Sequence, residues 1–137
     1  MSNSAQHIFN PPQVHPPQPS YSHICITSLG NGMRLLTLAG QIGRDSETGN
    51  IPSTLAAQVE VALKNVGKCL EASNAKITDI VRVQQFVVDL LSQDSSRAQA
   101  YLKFMGEHRP PSTLIGVNAL AGKELLYEIE VTAVAKE

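Results

Sequence analysis

Tryptophan is absent from this chain, and 137 residues include only three tyrosines and three phenylalanines. A protein that tracks nucleic acid depends on aromatic faces for base stacking and on an excess of basic groups for phosphate. Here 11 Lys and Arg stand against 12 Asp and Glu, for a formal net charge of −1, so nucleic acid is not an expected partner. Cysteine is equally sparse. Cys25 and Cys69 lie far apart and match no metal or redox spacing, which fits a reducing, cytoplasmic compartment. No run approaches the ~20 apolar residues that cross a bilayer, and no basic-then-apolar leader opens the sequence, so no membrane partner is expected. His7, His15 and His23 are spaced by eight and His108 is remote, a pattern with no ligand geometry. Neither a metal nor a cofactor is expected. A phosphate loop, a dinucleotide glycine fingerprint and a nucleophile elbow are all missing.

What is present is one domain's worth of patterned chain. Residues 53–72 carry Leu55, Val59, Ala62, Leu63, Val66 and Leu70 every three or four positions, which predicts a helix with one continuous apolar stripe. Gln58, Glu60, Lys64, Lys68 and Glu71 are assigned to its solvent face, Ser53 to its N-cap and Asn74 to its left-handed stop. Residues 1–18, rich in proline, read as an extended arm, and 19–137 as a single domain. Strands are predicted over 21–27 and 34–42, joined through Gly30, Asn31 and Gly32, and then over 80–91, 112–117 and 125–135. A second helix is predicted over 92–106. The order is β-β-α-β-α-β-β, an α+β mixed sheet with both helices on one face. Apolar residues on both alternations of 80–91, including Val81, Val83, Phe86 and Val88, predict a strand buried on both sides and hence an oligomer.

Chemistry has few places to sit. Glu128 and Glu130 are two apart on a strand, so their carboxylates share a face about 7 Å apart. That arrangement serves acid/base work if one of them is desolvated, and otherwise it is a solvated edge. Tyr21 and His23 share the other candidate face.

The runs Leu38-Ala39-Gly40-Gln41-Ile42-Gly43, Thr48-Gly49-Asn50-Ile51-Pro52, Gln58 with Asn65-Val66, Asp79-Ile80-Val81 and Glu128-Ile129-Glu130-Val131-Thr132-Ala133-Val134 together resemble the Rid family. It is also called YjgF-like or L-PSP endoribonuclease-like. The resemblance covers roughly Pro19 to the C-terminus. It implies a chorismate-mutase-like protomer in a homotrimer, with small-molecule ligands in clefts between subunits and imine/enamine deamination as the type activity. Residue by residue, Tyr21 matches a substrate-site tyrosine, Gly40 and Gln41 the Gly-Gln motif, and Glu128 the glutamate that positions or activates water. His23 is added as a hydrogen-bond donor beside Tyr21.

One family element departs. Where the family carries Pro-x-Arg-Ser, this chain reads Pro110-Pro111-Ser112-Thr113, so the arginine that clamps a substrate carboxylate is replaced by hydroxyls. Ser112 and Thr113 are therefore the expected substrate contacts, and a neutral or less acidic ligand is expected. Arg109 and Arg44 lie near these motifs in sequence, and Arg109 is kept as a candidate substrate contact although solvent is the default for both. Three functions compete: an imine/enamine hydrolase or related isomerase or lyase, a non-catalytic ligand-binding or chaperone-like trimer, and an endoribonuclease, which the charge balance opposes.

Overall fold

The apolar stripe of 53–72 finds its sheet. In the computed structural model, which describes residues 5–137, this stretch is helix α1 (Leu55–Ala72), and its stripe packs on alternate residues of the strands. The cap is Thr54 and not Ser53: its hydroxyl accepts from the Ala57 N–H at 3.3 Å. At the other end Asn74 takes φ 52°, the left-handed stop expected of it. The last carbonyls of the helix are held by a residue from elsewhere. Buried Arg34 donates to the carbonyls of Ser73 and of Asn74, the latter at 2.8 Å, and to that of Lys136 at 3.0 Å. A cation there satisfies orphan acceptors and opposes the negative end of the helix dipole.

The strands are β1 (Gln6–Phe9), β2 (Ile24–Gly30), β3 (Met33–Leu38), β4 (Gln41–Ile42), β5 (Ile80–Val88), β6 (Ser112–Val117) and β7 (Tyr127–Lys136). They form one sheet in the order β1-β2-β3-β7-β5-β6, with β4 also paired to β7. The last strand is thus the central one. β3 and β5 both run antiparallel to β7 and so parallel to each other, which requires the long crossover that α1 provides. β5 and β6 are parallel and are joined by α2 (Ser96–Met105), which packs beside α1. The second helix is shorter than predicted. Asp89, at φ 54°, ends β5, a 3₁₀ turn at Leu90–Ser92 occupies the end of the expected strand, and α2 begins only at Ser96.

Two expectations need correction. The arm is extended, but β1 pairs antiparallel with β2, and Val14 and His15 are buried, so it belongs to the fold. The first four residues of that arm lie outside the described residues. Gln58, assigned to the solvent face of α1, is fully buried: its amide donates to the carbonyls of Pro52 and Glu124 at 2.8 Å each, and its carbonyl accepts from the Leu126 N–H at 2.8 Å. Asn65, one helical face along, donates to the carbonyls of Ile42 and Arg44 at 3.0 Å each. Asn65 ties α1 to the chain leaving β4, and Gln58 ties it to the segment before the helix and to the loop that leads into β7.

On β7, Tyr127, Ile129, Val131, Ala133 and Ala135 face the helices and are buried. Glu128, Thr132 and Val134 lie on the opposite face with Leu35, Phe86 and Val88, all of them half-buried. Among the described residues no helix covers that face.

α1 closely approaches the chain just after β4 at Gly43, where a Cβ would lie 2.7 Å from the Gln58 Cα. Gly43→Ala must therefore push the helix away and is expected to cost roughly 1–3 kcal/mol. Gly67, inside α1, would meet only the Phe104 ring at 3.7 Å. Gly67→Ala is expected to stabilise by about 0.5–1 kcal/mol. Chemical denaturation of both variants checks the pair, and equal effects of one sign would contradict this packing.

Candidate active site

β3 and β4 are one predicted strand broken at Ala39-Gly40, and the break makes room for a carboxylate. Glu128 sits on β7 directly opposite Ile42, with its side chain on the face away from the helices. A Cβ at Gly40 would lie 2.0 Å from the Glu128 Oε1 and 2.8 Å from its Cδ. Only glycine leaves the carboxyl group this position. Burial, helped by the charge of Glu130 on the same face, raises the Glu128 pKa above the usual carboxylate value. Among the described residues no hydrogen bond or ion pair engages this carboxylate.

Glu128 and Gly40 open into a cavity of about 800 Å³, whose floor is the β3–β4 break. One wall is the N-terminal segment, through His15, Pro16, Gln18 and Tyr21. The other is made by Arg44, Asp45 and Ser46 after β4 and by Ala121, Gly122 and Leu125 before β7. Tyr21 is 42 % exposed and lines this cavity.

His23 is elsewhere than expected. It is 1 % exposed and does not line the cavity; its Nε2 donates to the His15 carbonyl at 2.7 Å, and its Nδ1 accepts from the Gln41 amide at 3.1 Å. This tautomer follows from the partners, since a carbonyl only accepts. Gln41 is likewise buried behind the wall, donating also to the Ala39 carbonyl at 3.0 Å. His23 and Gln41 therefore join the arm to the β3–β4 break, with Asn10 accepting from the His23 N–H at 2.8 Å. They position the cavity wall and do not face its interior.

Within the chain the remaining candidates are remote from Glu128. Ser112 pairs with Val83, which pairs with Val131, so it lies two strands across and three residues along from Glu128, about 10 Å in each direction. Thr113 accepts from the Arg82 guanidinium at 3.4 Å. Arg109 is exposed and folds back on its own turn, donating to the carbonyls of Gly106 at 2.5 Å and His108 at 2.9 Å. Tyr21, Gly40 and Glu128 are the predicted residues that the structure brings together. Arg44 and His15 join them unpredicted. The signal for Arg44 was its place two residues after β4, on a loop bound to reach the same end of the sheet as Glu128.

His15 has a buried Nδ1 without a partner, and burial, followed by the charges of His23 and Arg44, lowers its pKa to about 4. Its ring is neutral at physiological pH. Among the described residues no group of three or more His, Cys, Asp or Glu could hold a metal ion, and no helix is long and apolar enough to cross a membrane.

A two-helix layer on a mixed seven-stranded sheet, with an acidic group of the central strand beside a glycine break and a cavity, defines the α+β class of this protein. Comparison with known proteins makes the class specific. The family model described as Endoribonuclease L-PSP matches residues 13–135. The 2-iminobutanoate/2-iminopropanoate deaminase of Escherichia coli K12 is 36 % identical over 112 residues, covering 79 % of this chain and 83 % of that protein. Among solved structures, E. coli TdcF with bound serine superposes with a TM-score of 0.80 at 26 % identity, covering 95 % of this chain and 99 % of that one. YyfA of the Rid family from Yersinia pestis superposes with a TM-score of 0.84 at 23 % identity, covering 96 % and 100 %, and shows the shared fold. The chain belongs to the Rid, or YjgF-like, family.

Proposed function

We propose that this protein hydrolyses a small imine or enamine in the cavity beside Glu128. The observation that carries this reading is a carboxyl group with a raised pKa, held without a partner against Gly40 and open to the cavity. Such a group takes a proton from water and returns it at a neighbouring atom. Water adds its oxygen to the imine carbon while Glu128 accepts a proton and passes it to nitrogen, giving a carbinolamine; Glu128 then carries the hydroxyl proton to the same nitrogen as the C–N bond breaks, and ammonia and a carbonyl compound leave. An enamine first takes a proton at carbon and then follows the same course. Tyr21 supplies a hydroxyl that orients the substrate, and His23 and Gln41 hold the wall. The relationship to a 2-iminobutanoate/2-iminopropanoate deaminase supports the chemistry, and the serine bound to TdcF supports a ligand of amino-acid size.

The working unit in this reading is a homotrimer. Phe86, Val88, Leu35 and Val134 lie half-buried on the sheet face that no helix covers, and a second copy is the partner of matching shape and polarity. In such an assembly Ser112 and Thr113 of the edge strand reach a neighbour's cleft. Light scattering at micromolar concentration is expected to give three times the 14.8 kDa chain mass. A monomeric mass would remove the oligomer from the account.

The deciding test is release of 2-oxobutanoate from freshly generated 2-iminobutanoate by substoichiometric protein. Many turnovers are expected. Thermal stabilisation by the ligand without any product would mean a binding protein.

A further inference from the structure

We propose that Arg44 is the anion-binding group of this cavity, so that the substrate recognised there carries a carboxylate; the inference rests on the imine-hydrolase reading. A guanidinium lines the cavity with no partner. Its backbone is fixed, since the Arg44 carbonyl accepts from Asn65 at 3.0 Å, while among the described residues no hydrogen bond or ion pair engages the side chain. Arg44 is half-buried in a concave wall, where a cation has lost part of its hydration and an anion restores it.

The adjacent carboxylate, Asp45, is otherwise committed. The Asp45 Oδ1 accepts the N–H groups of Glu47 and Thr48 at 2.9 Å each and the Thr48 hydroxyl at 3.2 Å, closing its own turn. The His15 ring beside it is neutral. Lys68 donates to the Ser46 hydroxyl at 2.6 Å and adds a second positive charge behind the same loop. Glu128, the other carboxyl group of the lining, makes no ion pair with Arg44 among the described residues, so the guanidinium and the carboxyl group stand on separate parts of the wall. A molecule with a carboxylate at one end and a C=N bond at the other fits between them. The charge missing at Ser112 is thus supplied from the loop after β4, on the same chain as the acid/base group. The expectation of a neutral ligand is replaced by that of an acidic one.

Calorimetric titration with 2-oxobutanoate, the stable product, and with uncharged 2-oxobutanamide tests this on the full chain. Arg44→Ala is expected to weaken 2-oxobutanoate about 10- to 100-fold, with Arg44→Lys intermediate, and to leave 2-oxobutanamide unchanged. Lys103→Ala, on the exposed face of α2, is the control for general charge loss and is expected to change neither ligand. Melting temperatures equal to the parent confirm that the variants fold. If the parent turns over 2-iminobutanoate and Arg44→Ala binds 2-oxobutanoate as tightly as the parent, the Arg44 assignment is wrong and the hydrolase reading stands. If the parent neither binds 2-oxobutanoate nor turns over the imine, the hydrolase reading falls and this inference with it.

Discussion

Glu128→Gln is expected to lower imine turnover by about 10²- to 10⁴-fold while raising the melting temperature at pH 7. The amide matches the carboxylate in shape and spares the contact with Gly40, but it takes no proton from water. The stability change has the opposite sign for a reason found in the site. Burial and the Glu130 charge raise the Glu128 pKa in the folded protein. Between the ordinary glutamate value of about 4.3 and the folded value, the native state binds more protons than the unfolded chain, so stability falls as pH rises through that window. Above it the cost persists in full; below about pH 4 both states are protonated and the cost disappears. The gap in melting temperature between variant and parent is therefore expected at pH 7 and is expected to close on acidification. Scanning calorimetry at the two pH values measures it. The same raised pKa moves the acid limb of the parent's pH–rate profile above that of an ordinary carboxylate. A variant that is less stable than the parent at pH 7 would mean that the native carboxylate is held by interactions absent from this account.

Gly40→Ala is expected to reduce turnover about 100-fold without unfolding the protein. The added Cβ falls 2.0 Å from the Glu128 Oε1 and 2.9 Å from its Cγ, so the two cannot coexist in place. What yields is the end of a side chain bordering an open cavity, and the cost in stability is small beside that at Gly43, where the obstacle is helix backbone. The carboxyl group swings away from the position in which it meets the substrate. Steady-state kinetics should show the loss chiefly in kcat, since Tyr21 and Arg44 are untouched. Full activity in this variant would place the reacting group elsewhere.

Much of the architecture is legible in residue order because its signals are local. The stripe of α1, the Gly30-Asn31-Gly32 turn, β6 and the alternation of β7 each depend on neighbours a few positions away. What escapes is decided by distant partners. Gln58 is polar and sits beside exposed Glu60, so periodicity assigns it to solvent; only the carbonyls of Pro52 and Glu124 and the N–H of Leu126 explain its burial. The proline-rich arm carries no strand alternation, yet β2 offers it a free edge. Within the site, Glu128 and Gly40 are readable through motif resemblance, and the contact between them is not. His23 reads as a ligand-facing residue because strand alternation is extended one turn too far; β2 begins only at Ile24, and the ring turns inward to the His15 carbonyl. Arg44 is passed over because an arginine in a polar loop has solvent as its default. Its place in the cavity depends on the arm that closes the opposite wall.

The most direct test is the initial rate of 2-oxobutanoate formation from freshly generated 2-iminobutanoate, measured for the parent and Glu128→Gln at equal protein concentration. The account predicts clear acceleration by the parent and a rate at the uncatalysed background for the variant. Equal acceleration by both would show that Glu128 is not the acid/base group and would contradict it.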